Sequence, residues 1–171
     1  MEIMSETTET TLAIRRVTLT SDQSFDDVVA AVYAGLGRIG NFAAALADWR
    51  NAPDRESFDA AVQPLTGPSG LIEFLSLDHG AAVTVRYPDR GYRLLRIIAG
   101  NPVTMSTMTV TTPDAGSYAP VTILVAERRH GVTLSYDRVA SAIASYGSAE
   151  ASAVAETLDD AVLRLLHDAA G

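Results

Sequence analysis

The sequence predicts an α+β fold, and three observations carry the prediction. Four short runs have strand length and strand composition: Leu71–Leu77, Tyr92–Ala99, Val121–Glu127 and Val132–Tyr136, each bounded by Gly, Pro, Asn or Asp. Two segments repeat apolar residues at helical spacing: Phe25, Val28, Val29, Val32, Tyr33 and Leu36, then Val154, Leu158, Ala161, Val162 and Leu165. The last two strand runs are separated only by the turn Arg128-Arg129-His130-Gly131, which makes them a hairpin. With Leu12–Thr20 as a further strand, the count is about five.

Composition bounds the function. At 171 residues with 47% hydrophobic content, the chain fits one domain with a sizeable core over 12–171, preceded by a polar, acidic, Thr-rich tail at 1–11 that reads as disordered, within which Met4 is a possible second start. No apolar run approaches the roughly 18 residues that span a bilayer, and no basic start precedes an apolar stretch, so a cytoplasmic location is expected. The net charge of −8 argues against nucleic acid and anionic membranes as partners. The absence of Cys excludes disulfides, thiol nucleophiles, persulfide carriers and thiolate-held iron–sulfur clusters. His79, His130 and His167 are scattered without ligand spacing, so no metal and no cofactor is expected.

The elements follow in order. Leu12–Thr20 reads as a strand whose register changes at Arg15-Arg16, as a bulge would change it. Ser24 caps a helix, with Asp27 at its third position reaching back, and Gly35, Gly37 and Gly40 end it. Asn41 caps a second helix with Phe42, Ala45, Leu46 and Trp49 on one side; Phe58, Ala61, Val62 and Leu65 mark a third, disrupted by Pro64. Leu71–Leu77 reads as a buried strand. Asp78 then caps a short helix from His79 to Val85, against the strand preference of Val83-Thr84-Val85. Tyr92–Ala99, apolar on both faces, reads as a central strand. Over Val103–Thr112 the Asn101-Pro102 start signal opposes the strand propensity of Thr and Val, and a short helix is expected. Asp137–Tyr146 is linker or a helical turn, and Ser148 starts the last helix. Gly35-Leu36-Gly37-Arg38-Ile39-Gly40 matches a dinucleotide fingerprint only as a string, because it follows a helix rather than a strand.

Leu77-Asp78-His79, Gly100-Asn101-Pro102, Tyr118-Ala119-Pro120 and Ser135-Tyr136-Asp137, in that order and spacing, resemble the bacterial domain-of-unknown-function family numbered 302. The resemblance implies a curved antiparallel sheet backed by helices, similar to the TATA-binding-protein-like class, and no particular reaction. Many members carry Cys immediately before the Asn-Pro pair; this chain has Gly100, so no thiol role carries over. The helical insert at 41–66 looks like that of a longer subgroup and is placed to cover one mouth of a pocket.

The candidate site residues have two readings each. His79, with Asp78 beside it, is a general acid or base, or a ligand contact; alternatively Asp78 only caps a helix and His79 satisfies a carbonyl. Asn101 either caps a helix or marks a helix start that receives an anion. Tyr118, Tyr136 and Asp137 line a pocket or pack strand ends, and Met105 and Met108 are adaptable pocket walls or core filling. The expectation is a protein that binds a small, largely apolar ligand near His79 and Asn101, as a homodimer. The alternatives are a cofactor-free isomerase or lyase using His79 for proton transfer, and a protein–protein interaction module.

Overall fold

The structure, a computed structural model, describes residues 6–171. Its strands are β1 (Arg16–Ser21), β2 (Gly37–Arg38), β3 (Ile72–Asp78), β4 (Leu94–Gly100), β5 (Val121–Arg128) and β6 (Gly131–Asp137). Its helices are α1 (Phe25–Gly35), α2 (Phe42–Asn51), α3 (Arg55–Val62), α4 (His79–Arg86), α5 (Pro102–Thr109), α6 (Val139–Ile143) and α7 (Ala149–Ala170). The strands form one open sheet in the order β1-β6-β5-β4-β3-β2, antiparallel except where β2 joins β3. The fold is α+β, and the sixth strand beyond the expected five is the two-residue β2.

Strand register divides the sheet into two unlike faces. The lateral row Ser76, Ile97, Ile123, Tyr136 and Val17 lies on one face, and Ile97, Ile123 and Tyr136 in it are buried. The next row along, Leu77, Arg96, Leu124, Ser135 and Thr18, points the other way because strand side chains alternate. The first face meets α1 and α7, whose Val28, Val32, Leu158, Val162 and Leu166 complete the core. The second face stays open, with Leu75 48% exposed on it.

Local chemistry accounts for the helix starts. Ser24 Oγ accepts from Asp27 N–H at 3.1 Å and donates to the Asp27 carboxylate at 2.6 Å, the reciprocal cap the sequence predicts. Asn41, Asp54, Asp78 and Ser148 cap their helices more simply, each accepting from the backbone N–H three residues on. In α5 the Asn101 cap and Pro102 prevail over Thr and Val propensity. Thr107 and Thr109 hydroxyls donate to the carbonyls of Val103 and Met105 four residues back, so these side chains do not compete with the helix.

The start of the first strand and the place of the bulge differ from expectation, whereas Asp137–Tyr146 is helical turn as expected. β1 begins at Arg16 because β6 ends at Asp137; Arg15 turns instead to α6, accepting from Arg138 N–H and donating to Ser141 Oγ, both at 2.9 Å. The bulge is not at Arg15-Arg16, where the register is unbroken, but in β3 between Glu73 and Leu75. Asp137–Tyr146 contains α6 followed by a tight turn at Ala144–Tyr146. Residues 6–11 of the expected tail carry no helix or strand; Met1–Ser5, and with them Met4, lie outside the described residues.

Two glycines matter for the insert. An added Cβ on Gly37 would lie 1.8 Å from the Leu65 carbonyl oxygen, and one on Gly67 2.3 Å from Gly37 N. The chain leaving the insert therefore passes directly against β2, which fixes where α2 and α3 sit.

Candidate functional site

A cavity of about 440 Å³ lies where the helical insert meets the Gly100 end of β4. α2 contributes Phe42, Leu46 and Trp49, α3 Phe58, the β3 bulge Phe74, and the start of α5 Thr104 and Met105. Phe42, Trp49 and Phe74 pack edge to face in a triangle with centroids 6.1 to 6.5 Å apart. Phe42 and Trp49 share a side of α2 because they are two helical turns apart; Phe74 reaches them because the bulge displaces it from strict alternation. Trp49 Nε1 is enclosed and has no hydrogen-bond partner. The walls are mostly apolar, with Arg50, Asn101 and Thr104 as the other polar residues lining the space.

Asn101 borders this cavity, but its side chain is engaged. Oδ1 accepts from Val103 N–H at 2.9 Å and Nδ2 donates to the Gly70 carbonyl at 2.9 Å, so Asn101 caps α5 and ties it to the loop before β3. Met105 lines the cavity; Met108 does not, being fully buried in the core between sheet and α7.

A second cavity, also about 440 Å³, lies across the Tyr118-Ala119-Pro120 segment, and Pro120 and Val121 wall both. It holds Tyr118, Tyr136 and Asp137, which the sequence marks as pocket residues, together with Arg16, Arg96 and Arg138. Asp137 accepts a two-point fork from Arg16 at 2.6 and 2.8 Å, and that guanidinium holds its carboxyl below the usual carboxylate range. Tyr136 faces inward. Its hydroxyl donates to Asp159 Oδ1 at 2.6 Å, and burial, then this bond, push the phenol well above its ordinary pKa.

Asp159 is fully buried and accepts from Tyr136 Oη, Arg138 Nε, Val139 N and Ala140 N. It thereby caps α6 from α7. The sequence analysis assigns Asp159 no site role, yet a signal is present: Ala155, Asp159, Val162 and Leu166 lie on one helical stripe, and the other three are buried. Arg96 was missed in the same way, as the one charge inside the otherwise apolar β4.

His79 and Asn101 do not share a pocket. Each follows the C-terminal end of its strand, and β3 and β4 are antiparallel, so they lie at opposite ends of the sheet, about 20 Å apart along seven strand residues. Asp78 caps α4 through Ala81 N–H at 2.9 Å. The hollow at that end is walled by Asp78, Gly80, Thr84, Arg93 and Glu127 and not by His79. No Asp78–His79–Asn101 constellation forms, and among the described residues no three His, Asp or Glu side chains gather as a metal site requires.

The fold and its cavities define a class: α+β proteins with an open, mainly antiparallel sheet, helices on one face and an aromatic-lined cleft at one sheet end. Within that class, the family described as domain of unknown function DUF302 matches residues 55–165, and the chain belongs to it. The crystal structure of an uncharacterized conserved protein DUF302 from Bacillus stearothermophilus is similar, with a TM-score of 0.63 over 90% of this chain and 96% of that one at 7% identity. At that identity the likeness is one of fold, and it includes elements ahead of residue 55. No curated protein sequence matches the chain.

Proposed function

We propose that the protein binds a small, largely apolar molecule in the cavity between the helical insert and the Gly100 end of β4. The observation that carries this reading is the enclosed, unpaired Trp49 Nε1 in an aromatic-walled space of about 440 Å³, a size typical of small-ligand sites. An unpaired buried donor costs stability, so its retention in a hydrophobic wall favours a ligand with an acceptor. Proton-transfer chemistry at His79 is less favoured, because His79 borders neither cavity around the Tyr118–Pro120 segment. A homodimer stays part of the proposal, supported by the exposed Leu75 and its neighbour Ile98 toward the β3 side of the uncovered sheet face; sedimentation should then give twice the chain mass. No helix among the described residues is long and apolar enough to cross a membrane.

Native mass spectrometry of freshly purified protein tests the binding reading. The expected result is a bound small molecule that is lost in Met105→Phe, which narrows the cavity. A ligand retained at full occupancy by Met105→Phe would move the site elsewhere.

A further inference from the structure

We infer that the second cavity, on the open face of the sheet, is a binding site for a small organic carboxylate held by Arg96. This proposal does not depend on what occupies the first cavity. Arg96 lies near the middle of β4, with Leu77 and Leu124 as its lateral neighbours. Its Nη2 donates to Thr122 Oγ1 at 3.2 Å, while Nε is enclosed and has no partner.

The other two arginines of the cavity are neutralised: Arg16 forks onto Asp137, and Arg138 pairs with Asp159 at 3.2 Å. Among the described residues, no carboxylate lies within ion-pair distance of Arg96. The chain carries 21 acidic residues against 13 basic ones, so a carboxylate partner for a central arginine was easy to supply from within. Arg96 is instead left as the cavity's uncompensated cation, with the Thr122 hydroxyl on its guanidinium and the Ser135 hydroxyl farther along the same cavity wall.

The walls select among anions. Tyr118, Pro120 and Leu124 give the cavity an apolar side, which suits a hydrocarbon or aromatic body. The Arg16–Asp137 pair at the same cavity adds no net charge to it, so the ligand's charge is met by Arg96 alone. A planar carboxylate also matches the guanidinium fork. The ligand class is therefore a monocarboxylate with a compact apolar body, in preference to inorganic phosphate. The competing account is that the Arg96 stem merely covers Leu77 and Leu124 while its head meets water.

Isothermal titration of the full chain with benzoate decides between them, with benzamide as the neutral isostere and inorganic phosphate as the second anion. The expected result is saturable one-to-one binding of benzoate, with benzamide and phosphate weaker by about tenfold or more, as loss of a charge-assisted pair implies. Arg96→Gln should weaken benzoate by a similar factor, and Met105→Phe, at the other cavity, should leave it unchanged. Arg96→Lys, which keeps the charge and guards against a folding defect in the Gln variant, should bind benzoate with intermediate strength. The proposal is overturned if benzamide binds as well as benzoate, if phosphate binds better, or if Arg96→Gln binds benzoate like the parent. Absence of benzoate binding to the parent overturns it too. In that case, an Arg96→Gln protein that sediments at half the parent's mass would assign the guanidinium to a second copy's carboxylate.

Discussion

Asp159 and Trp49 are polar groups in apolar surroundings, and they differ in what surrounds them. Four donors converge on the Asp159 carboxylate from β6, α6 and the chain between them. Among the described residues, Trp49 Nε1 has no acceptor, and Arg96 Nε, in the other cavity, is in the same condition. A saturated polar group has no capacity left for a ligand, and its work is to hold the fold. An unsaturated one at a cavity wall has capacity and no structural use for it. The contrast separates structural from binding residues more sharply than residue type does: a carboxylate, usually the first suspect for chemistry, belongs here to the scaffold.

Removing the saturated group should have the largest effect. Asp159→Ala leaves Tyr136, Arg138 and two backbone N–H groups without their acceptor, and should destabilise the protein by about 3–5 kcal/mol in urea unfolding. A variant as stable as the parent would show that the four bonds to Asp159 do not hold the fold.

Tyr136→Phe comes next, with a loss of about 1.5–3 kcal/mol, because a bond to a charged acceptor disappears. It also has a pH signature. The phenol's pKa is raised in the folded state, so its contribution is complete below pH ~10, the unfolded value, and declines as pH rises beyond it. Chemical denaturation of the parent between pH 9 and 11 should show falling stability, and Tyr136→Phe should show less of that fall.

The sequence discloses what is local and hides what pairs distant segments. The Ser24 cap, the Asn101-Pro102 helix start and the β5–β6 hairpin each depend on residues within a few positions of one another, and all three form. Phe42 and Trp49 were legible as one side of α2, but Phe74 joins them only through a bulge that no turn residue announces. His79 and Asn101 each follow a strand, but β3 and β4 are antiparallel neighbours and send their C-terminal ends in opposite directions, so the expected joint pocket does not form. Asp159 was hidden by an adjacent Asp160 and by the usual preference of carboxylates for water.

Asn101 lies between the two extremes, with both side-chain polar atoms bonded at the edge of a cavity. Asn101→Ala should cost about 1–2 kcal/mol, since it loses both the cap and the Gly70 bond. Asn101→Asp keeps the cap acceptor and loses the donor to Gly70, so it should fall between parent and Ala in thermal melts rather than match the parent. His79 should show the smallest effect. His79→Ala and His79→Gln should each stay within about 0.5 kcal/mol of the parent and should bind apolar probes in the Trp49 cavity unchanged, because His79 is at the far end of β3.

The most direct test of the Trp49 cavity uses Trp49 itself. It is the only Trp in the chain, so every change in Trp emission reports this one wall. Titration with 1-octanol, which has an apolar body and one hydroxyl acceptor, should produce a saturable change in Trp49 fluorescence in the parent. The same titration of Met105→Phe should give a much weaker response. A response that rises without saturating, or that is identical in Met105→Phe, would contradict a ligand site at Trp49.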